Sequence, residues 1–96
     1  MDETPLQLSN VIRFELPSYA DADALCALLR PRWPGTKTLD SDIWRVSARV
    51  QHSKSDLAAL LRTVEAYVGA AGLDAIRYQL DGRFYILDAT PRALAS

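Results

Sequence analysis

Three segments of this chain alternate between apolar and polar residues with a period of two. In Val11–Leu16, Ile12, Phe14 and Leu16 alternate with Val11, Arg13 and Glu15. In Ile43–Gln51, Trp44, Val46, Ala48 and Val50 alternate with Ile43, Arg45, Ser47, Arg49 and Gln51. In Ala75–Leu80, Ile76, Tyr78 and Leu80 alternate with Arg77 and Gln79. A strand's side chains point to opposite faces in turn, so each segment reads as a strand with one buried face. Together they demand a sheet with a covered apolar face and an opposite face rich in arginine.

Two helical stretches lie between these strands. Ser18, three residues before Asp21, opens the first, which runs from Ala20 to Leu29. Its residues Asp21, Ala24, Leu25 and Leu28 fall close to one stripe, whose apolar members are expected to face the core together with Leu29. Pro31 disfavours helical geometry at Arg30 and closes the helix. The second helix starts after a cap at Ser53 or Ser55 and carries its stripe on Leu57, Leu60, Leu61, Val64, Val68 and Ala71. Gly72 suits the left-handed position that ends it.

The punctuation completes the order of elements. Arg32-Trp33-Pro34-Gly35 is a turn signal, Thr36–Leu39 reads as a short strand, and Asp40-Ser41-Asp42 reads as a turn. Asp81-Gly82 marks a two-residue hairpin, after which Arg83–Leu87 returns antiparallel. Residues 1–8 and 89–96 read as flexible tails flanking a single domain over 1–96.

This order predicts an α+β class: a two-layer α/β sandwich of ferredoxin-like βαββαβ type with an extra C-terminal hairpin strand. Both helices are expected on one face of the sheet. The alternative treats residues 36–40 as loop and gives a β-α-β-α-β-β chain with a mostly parallel sheet.

Composition removes several classes of function. The 96 residues hold 49% hydrophobic and 24% charged residues, the balance of a globular domain rather than a disordered one. The net charge of −1 gives no long-range steering toward nucleic acid or anionic membrane. No apolar run approaches the roughly 20 residues of a membrane helix, and the opening residues carry no signal-peptide pattern. Cys26 is the single cysteine, so no internal disulfide can form. A cytoplasmic location suits it. It falls inside the first helix, where a small buried hydrophobe is expected rather than a thiolate.

The chemistry-bearing residues form no catalytic signature. His52 stands alone at a strand-to-helix turn, without ligands at metal spacing, and no metal or cofactor is expected. Gly69-Ala70-Ala71-Gly72 ends a helix instead of opening one and is no phosphate loop.

The pattern that remains is the second sheet face, where Arg13, Arg45, Arg49 and Arg77 project beside Glu15, Ser47 and Gln79. Trp33, in a proline-bounded turn, is a further candidate as an exposed anchor for a partner, against a plain role lidding the core. The leading expectation is a non-enzymatic interaction or regulatory module, homodimeric, whose open face packs on a second copy or another protein. Val11 and Ile43 would then supply apolar contacts beside the arginines. An anion- or RNA-binding face is the alternative, although RNA modules of this architecture stack bases on aromatics where this chain has arginine and serine. A third reading is a small enzyme on a dimeric ferredoxin-like barrel, with Glu15 or Tyr85 as its proton-transfer group.

Overall fold

The computed structural model describes residues 11–50 and 54–89. The expected tail at 1–8, residues 90–96 of the expected tail at 89–96, His52 and the cap at Ser53 lie outside these residues; Ala89 is instead tied in, its N–H on the Asp74 carbonyl and its side chain against the core. The elements run β1 (Val11–Leu16), α1 (Tyr19–Leu29), β2 (Gly35–Asp40), β3 (Ile43–Arg49), α2 (Lys54–Ala70), β4 (Ala75–Leu80) and β5 (Arg83–Asp88).

All five strands form one sheet in the order β2-β3-β1-β4-β5, and every neighbouring pair is antiparallel. The fold is therefore α+β, and the mostly parallel alternative is overturned. Its premise fails at residues 36–40, which pair with β3 over the full length of β2. The fifth strand also makes the order differ from that of a simple ferredoxin-like sheet. β1 lies at the centre, between β3 and β4.

Two-residue turns set the outer registers. Asp81 and Gly82 adopt φ of 56° and 76°, the left-handed pair that matches the twist of a tight hairpin, and Leu80 faces Arg83 across it. Ser41 and Asp42 repeat this geometry between β2 and β3, with φ of 52° and 68°, without a glycine. Gly35 opens β2 where its backbone runs against β3. A Cβ added there would stand 1.7 Å from the Ser47 carbonyl oxygen, so the residue is glycine for lack of space.

The core is one cluster. Ile12, Phe14 and Leu16 of β1, Val46 and Ala48 of β3 and Ile76 of β4 meet Ala22, Leu25, Cys26 and Leu29 of α1 and Leu60, Val64 and Val68 of α2. Both helices thus cover the same face of the sheet. Cys26 is buried among hydrophobes, as its position in the helix implies.

The α1 stripe departs from expectation. Leu28 is 49% exposed and Ala24 is exposed, while Ala22 and Cys26 are buried. α1 is apolar on most of its surface, so periodicity does not fix its rotation; small residues at 22 and 26 let the helix sit close to the sheet. Arg30 is a second departure. It keeps right-handed helical dihedrals (φ −52°, ψ −41°) and donates its N–H to the Cys26 carbonyl despite the following proline. The helix stops only beyond it, where the N–H groups of Arg32 and Trp33 turn back onto the Leu29 carbonyl.

Polar ties fix the helices. Ser18 caps α1 by accepting from the Asp21 N–H at 3.1 Å. The Asp21 carboxylate accepts from the Tyr67 hydroxyl at 2.7 Å and so links α1 to α2. Burial, reinforced by that hydrogen bond, pushes the Tyr67 phenol up to about 12. α2 ends with Gly72 at φ 77° and with the Leu73 N–H on the Val68 carbonyl, a glycine-terminated closure.

Candidate functional site

The register places each candidate arginine. On β1, Arg13 stands opposite Ser47 of β3 and Gln79 of β4, and Glu15 stands opposite Arg45. Arg49 is opposite Val11. These residues alternate with Ile12, Phe14, Val46 and Ala48, which the helices cover, so the arginines share the uncovered face.

Two of the four are already occupied. The Glu15 carboxylate accepts from Arg77 Nε at 2.9 Å and from its terminal nitrogen at 3.1 Å, a two-pronged pair. The same carboxylate is 3.5 Å from Arg45, which also binds Asp40. A chain of alternating charge, Asp40–Arg45–Glu15–Arg77, therefore runs across four strands. The Glu15 side chain is only 13% exposed within it. Arg13 and Arg49 are exposed and make no ion pair among the described residues. The four arginines thus divide into a neutralised pair at the centre and, toward the Val11 end, a pair without an ion partner among the described residues.

Trp33 does not stand out as an exposed anchor. It is 4% exposed, and its indole N–H points to both Asp56 carboxylate oxygens at 3.2 Å. Arg32 lies over the indole, 4.6 Å from its centroid, and reaches Asp56 at 3.4 Å. Buried indoles need a partner for the N–H, and Asp56 at the start of α2 supplies it. Trp33 is a lid on one end of the core.

Sequence reasoning placed Val11 and Ile43 on this face but missed the apolar residues that β5 adds to it. β5 pairs with β4 so that Phe84 faces Gln79 and Ile86 faces Arg77. Both side chains therefore join the arginine face, exposed by 51% and 63%. The Arg77 guanidinium sits 4.4 Å over the Phe84 ring while its nitrogens hold Glu15. The signal was present: a two-residue turn at Asp81-Gly82 fixes the parity of every residue after it. Tyr85, by the same parity, lies on the helix-side face, stacked on Tyr78 at 5.3 Å. It is not on the arginine face with Glu15.

The described residues contain no cluster of three or more His, Cys, Asp or Glu suited to a metal ion. Among the described residues, two hollows that open widely to solvent stand out. One of about 630 Å³ lies over the outer sides of α1 and α2, among Leu28, Ala59, Thr63, Ala66 and Tyr67. The other, about 330 Å³, lies at the free-arginine end among Val11, Pro34, Thr36, Ser47 and Arg49. No described helix is long and apolar enough to cross a membrane. Comparison with protein-family models, with curated proteins and with solved structures finds no match.

Proposed function

We propose that this chain is a non-enzymatic interaction module that works as a homodimer, built on a ferredoxin-like scaffold extended by β5 and carried in a reducing, cytoplasmic setting. The β2-β3-β1-β4 part of the sheet order and the free thiol at Cys26 support that setting and scaffold. One observation carries the function: the uncovered face joins a self-neutralised charge chain to exposed Phe84 and Ile86. A face evolved to seize an anion keeps its guanidinium groups available, whereas here Glu15 and Asp40 occupy the central two. Neutralised polar groups beside exposed aromatic and aliphatic groups are what a protein contact needs. Light scattering across a concentration series tests this. Mass rising toward twice the monomer at tens of micromolar is expected, and a strict monomer throughout refutes it.

Arg13 and Arg49 give the anion- or RNA-binding reading a narrower basis. Neither makes an ion pair among the described residues; Arg49 lines the hollow edged by Thr36 and Ser47, and Arg13 stands opposite Ser47. Under that reading, Arg13→Ala with Arg49→Ala abolishes retention of a single-stranded RNA at low salt, and added salt weakens it in the parent chain. No retention of RNA by the parent chain at low salt ends this reading. The enzyme reading has the least support, because Glu15 is held by two arginines and Tyr85 is on the other side of the sheet.

A further inference from the structure

We infer that the second copy joins through β5, by antiparallel pairing of β5 with its own counterpart about a two-fold axis at Tyr85, giving one continuous ten-stranded sheet. The inference rests on the homodimer reading above and specifies its contact.

Among the described residues β5 is an edge strand, and its interior lacks the residues that usually protect one. It has no proline, no lysine and no glycine between Arg83 and Asp88. Edges normally carry such residues because unpaired N–H and C=O groups invite another strand. Phe84, Tyr85 and Ile86 are consecutive and exposed by 51%, 40% and 63%. The opposite edge, β2, is of another kind: Thr36, Lys37 and Thr38 lie along it, and Lys37 is tied to Asp23 at 3.0 Å.

The direction of the β5 amides selects the register. The hairpin closes Leu80 against Arg83, and the Ala89 N–H donates to the Asp74 carbonyl. Odd-numbered residues of β5 therefore turn their amides toward β4, and even-numbered residues turn theirs to the free edge. An axis normal to the sheet pairs only residues of the same face. Centred on Tyr85, it sets Phe84 opposite Ile86 of the second copy, and both have outward amides. These two pairs exchange roughly four backbone hydrogen bonds. Two phenylalanines and two isoleucines then form one apolar cluster on the uncovered face, each phenylalanine backed by Arg77. Centred on Ile86, the axis would instead set Phe84 against the carboxylate of Asp88.

The three apolar side chains bring about 300 Å² of exposed surface per copy. A standard interface needs about 800 Å² per partner. The dimer is thus concentration-dependent and relies on its backbone pairing, which makes it sensitive to a single amide.

The test uses the full chain. Ile86→Pro removes an outward N–H without touching the β4 ladder, and proline is tolerated at such edge positions. It should weaken self-association at least about tenfold, with the circular dichroism spectrum retained. Tyr85→Cys in a Cys26→Ala background should cross-link under mild oxidation, because directly opposed, non-hydrogen-bonded residues lie about 4.5 Å apart, within the range a disulfide spans. Ile86→Cys should not, since the diagonal separation is about 7–8 Å. A dimer that survives Ile86→Pro, or that cross-links through Ile86→Cys and not Tyr85→Cys, overturns this contact and leaves the homodimer reading standing. A parent chain that stays monomeric overturns both.

Discussion

Glu15 holds the uncovered face together electrostatically, and replacing it by glutamine should show how strongly. Glu15→Gln keeps the shape and one acceptor oxygen but removes the charge and sets an amide N–H₂ against guanidinium donors. The Arg77 pair is two-pronged at 2.9 and 3.1 Å, with side-chain exposures of 45% for Arg77 and 13% for Glu15. Fully exposed pairs contribute about 0–1 kcal/mol, and hydrogen bonds to charged groups about 1.5–3 kcal/mol. The half-exposed guanidinium discounts the upper figure. The second contact, to Arg45 at 3.5 Å, is long and adds little. A loss of about 1.5 kcal/mol follows. In a domain this small it lowers the melting temperature by roughly 6–12 °C.

The decisive assay is a double-mutant cycle by urea denaturation. Glu15→Gln with Arg77→Ala should show coupling near 1 kcal/mol, shrinking in high salt. Glu15→Gln with Arg13→Ala should show almost none, because Arg13 makes no ion pair among the described residues. Equal coupling for Arg13 and Arg77, or none for either, would refute the claim that Glu15 neutralises the face selectively. The same variant also separates the two functional readings. With Glu15 neutral, Arg45 and Arg77 lose a shared counter-charge, so retention on a polyanionic matrix should rise above that of the parent chain.

Gly35→Ala should destabilise the protein by more than about 2 kcal/mol in urea melts, since its Cβ would collide with the Ser47 backbone 1.7 Å away and force β2 off β3; a loss below about 0.5 kcal/mol would mean that the strand yields freely. Tyr67 should make stability fall as pH rises from 10 toward 12. Its phenol is raised to about 12 when folded, chiefly by burial and then by Asp21, so between those values the folded state holds a proton that the unfolded state has lost. Tyr67→Phe should flatten that slope in alkaline urea melts, leaving the smaller part due to Tyr78, whose phenol burial also raises, and to Lys37, which Asp23 raises. Ser18→Ala removes the acceptor of the Asp21 N–H and should cost about 1 kcal/mol, measured in the same way.

Most of the scaffold was legible because local signals agreed with one another. The alternation in Val11–Leu16 and Ile43–Arg49 set which residues face the helices, and Asp81-Gly82 set the hairpin. The rotation of α1 was not legible, because a helix with apolar residues on most sides has no single stripe to read. Contacts decided it: Ala22 and Cys26 are small enough to approach the sheet, so Leu28 turns outward. Trp33 was ambiguous for another reason. Its partner, Asp56, lies 23 residues away at the start of α2, and no local pattern announces a contact of that range.

The candidate face was only half legible, and the missing half changes its chemistry. From the sequence, four arginines define it, which leaves an anionic partner as the alternative to a protein contact. In three dimensions the acids that answer them come from different strands. Glu15 lies 62 residues from Arg77 along the chain yet 2.9 Å away in space. A strand's composition shows which charges share a face but not which of them cancel. The cancellation gives the central arginines carboxylate partners within the sheet and sets Arg77 over the Phe84 ring. Exposed Phe84 and Ile86 at the sheet's edge are then the apolar part of this face, and Arg13 and Arg49, without an ion pair among the described residues, are a separate feature at the Val11 end. That division predicts that substitutions at Ile86 and at Arg49 act independently: the first on self-association, the second on any anion the chain retains.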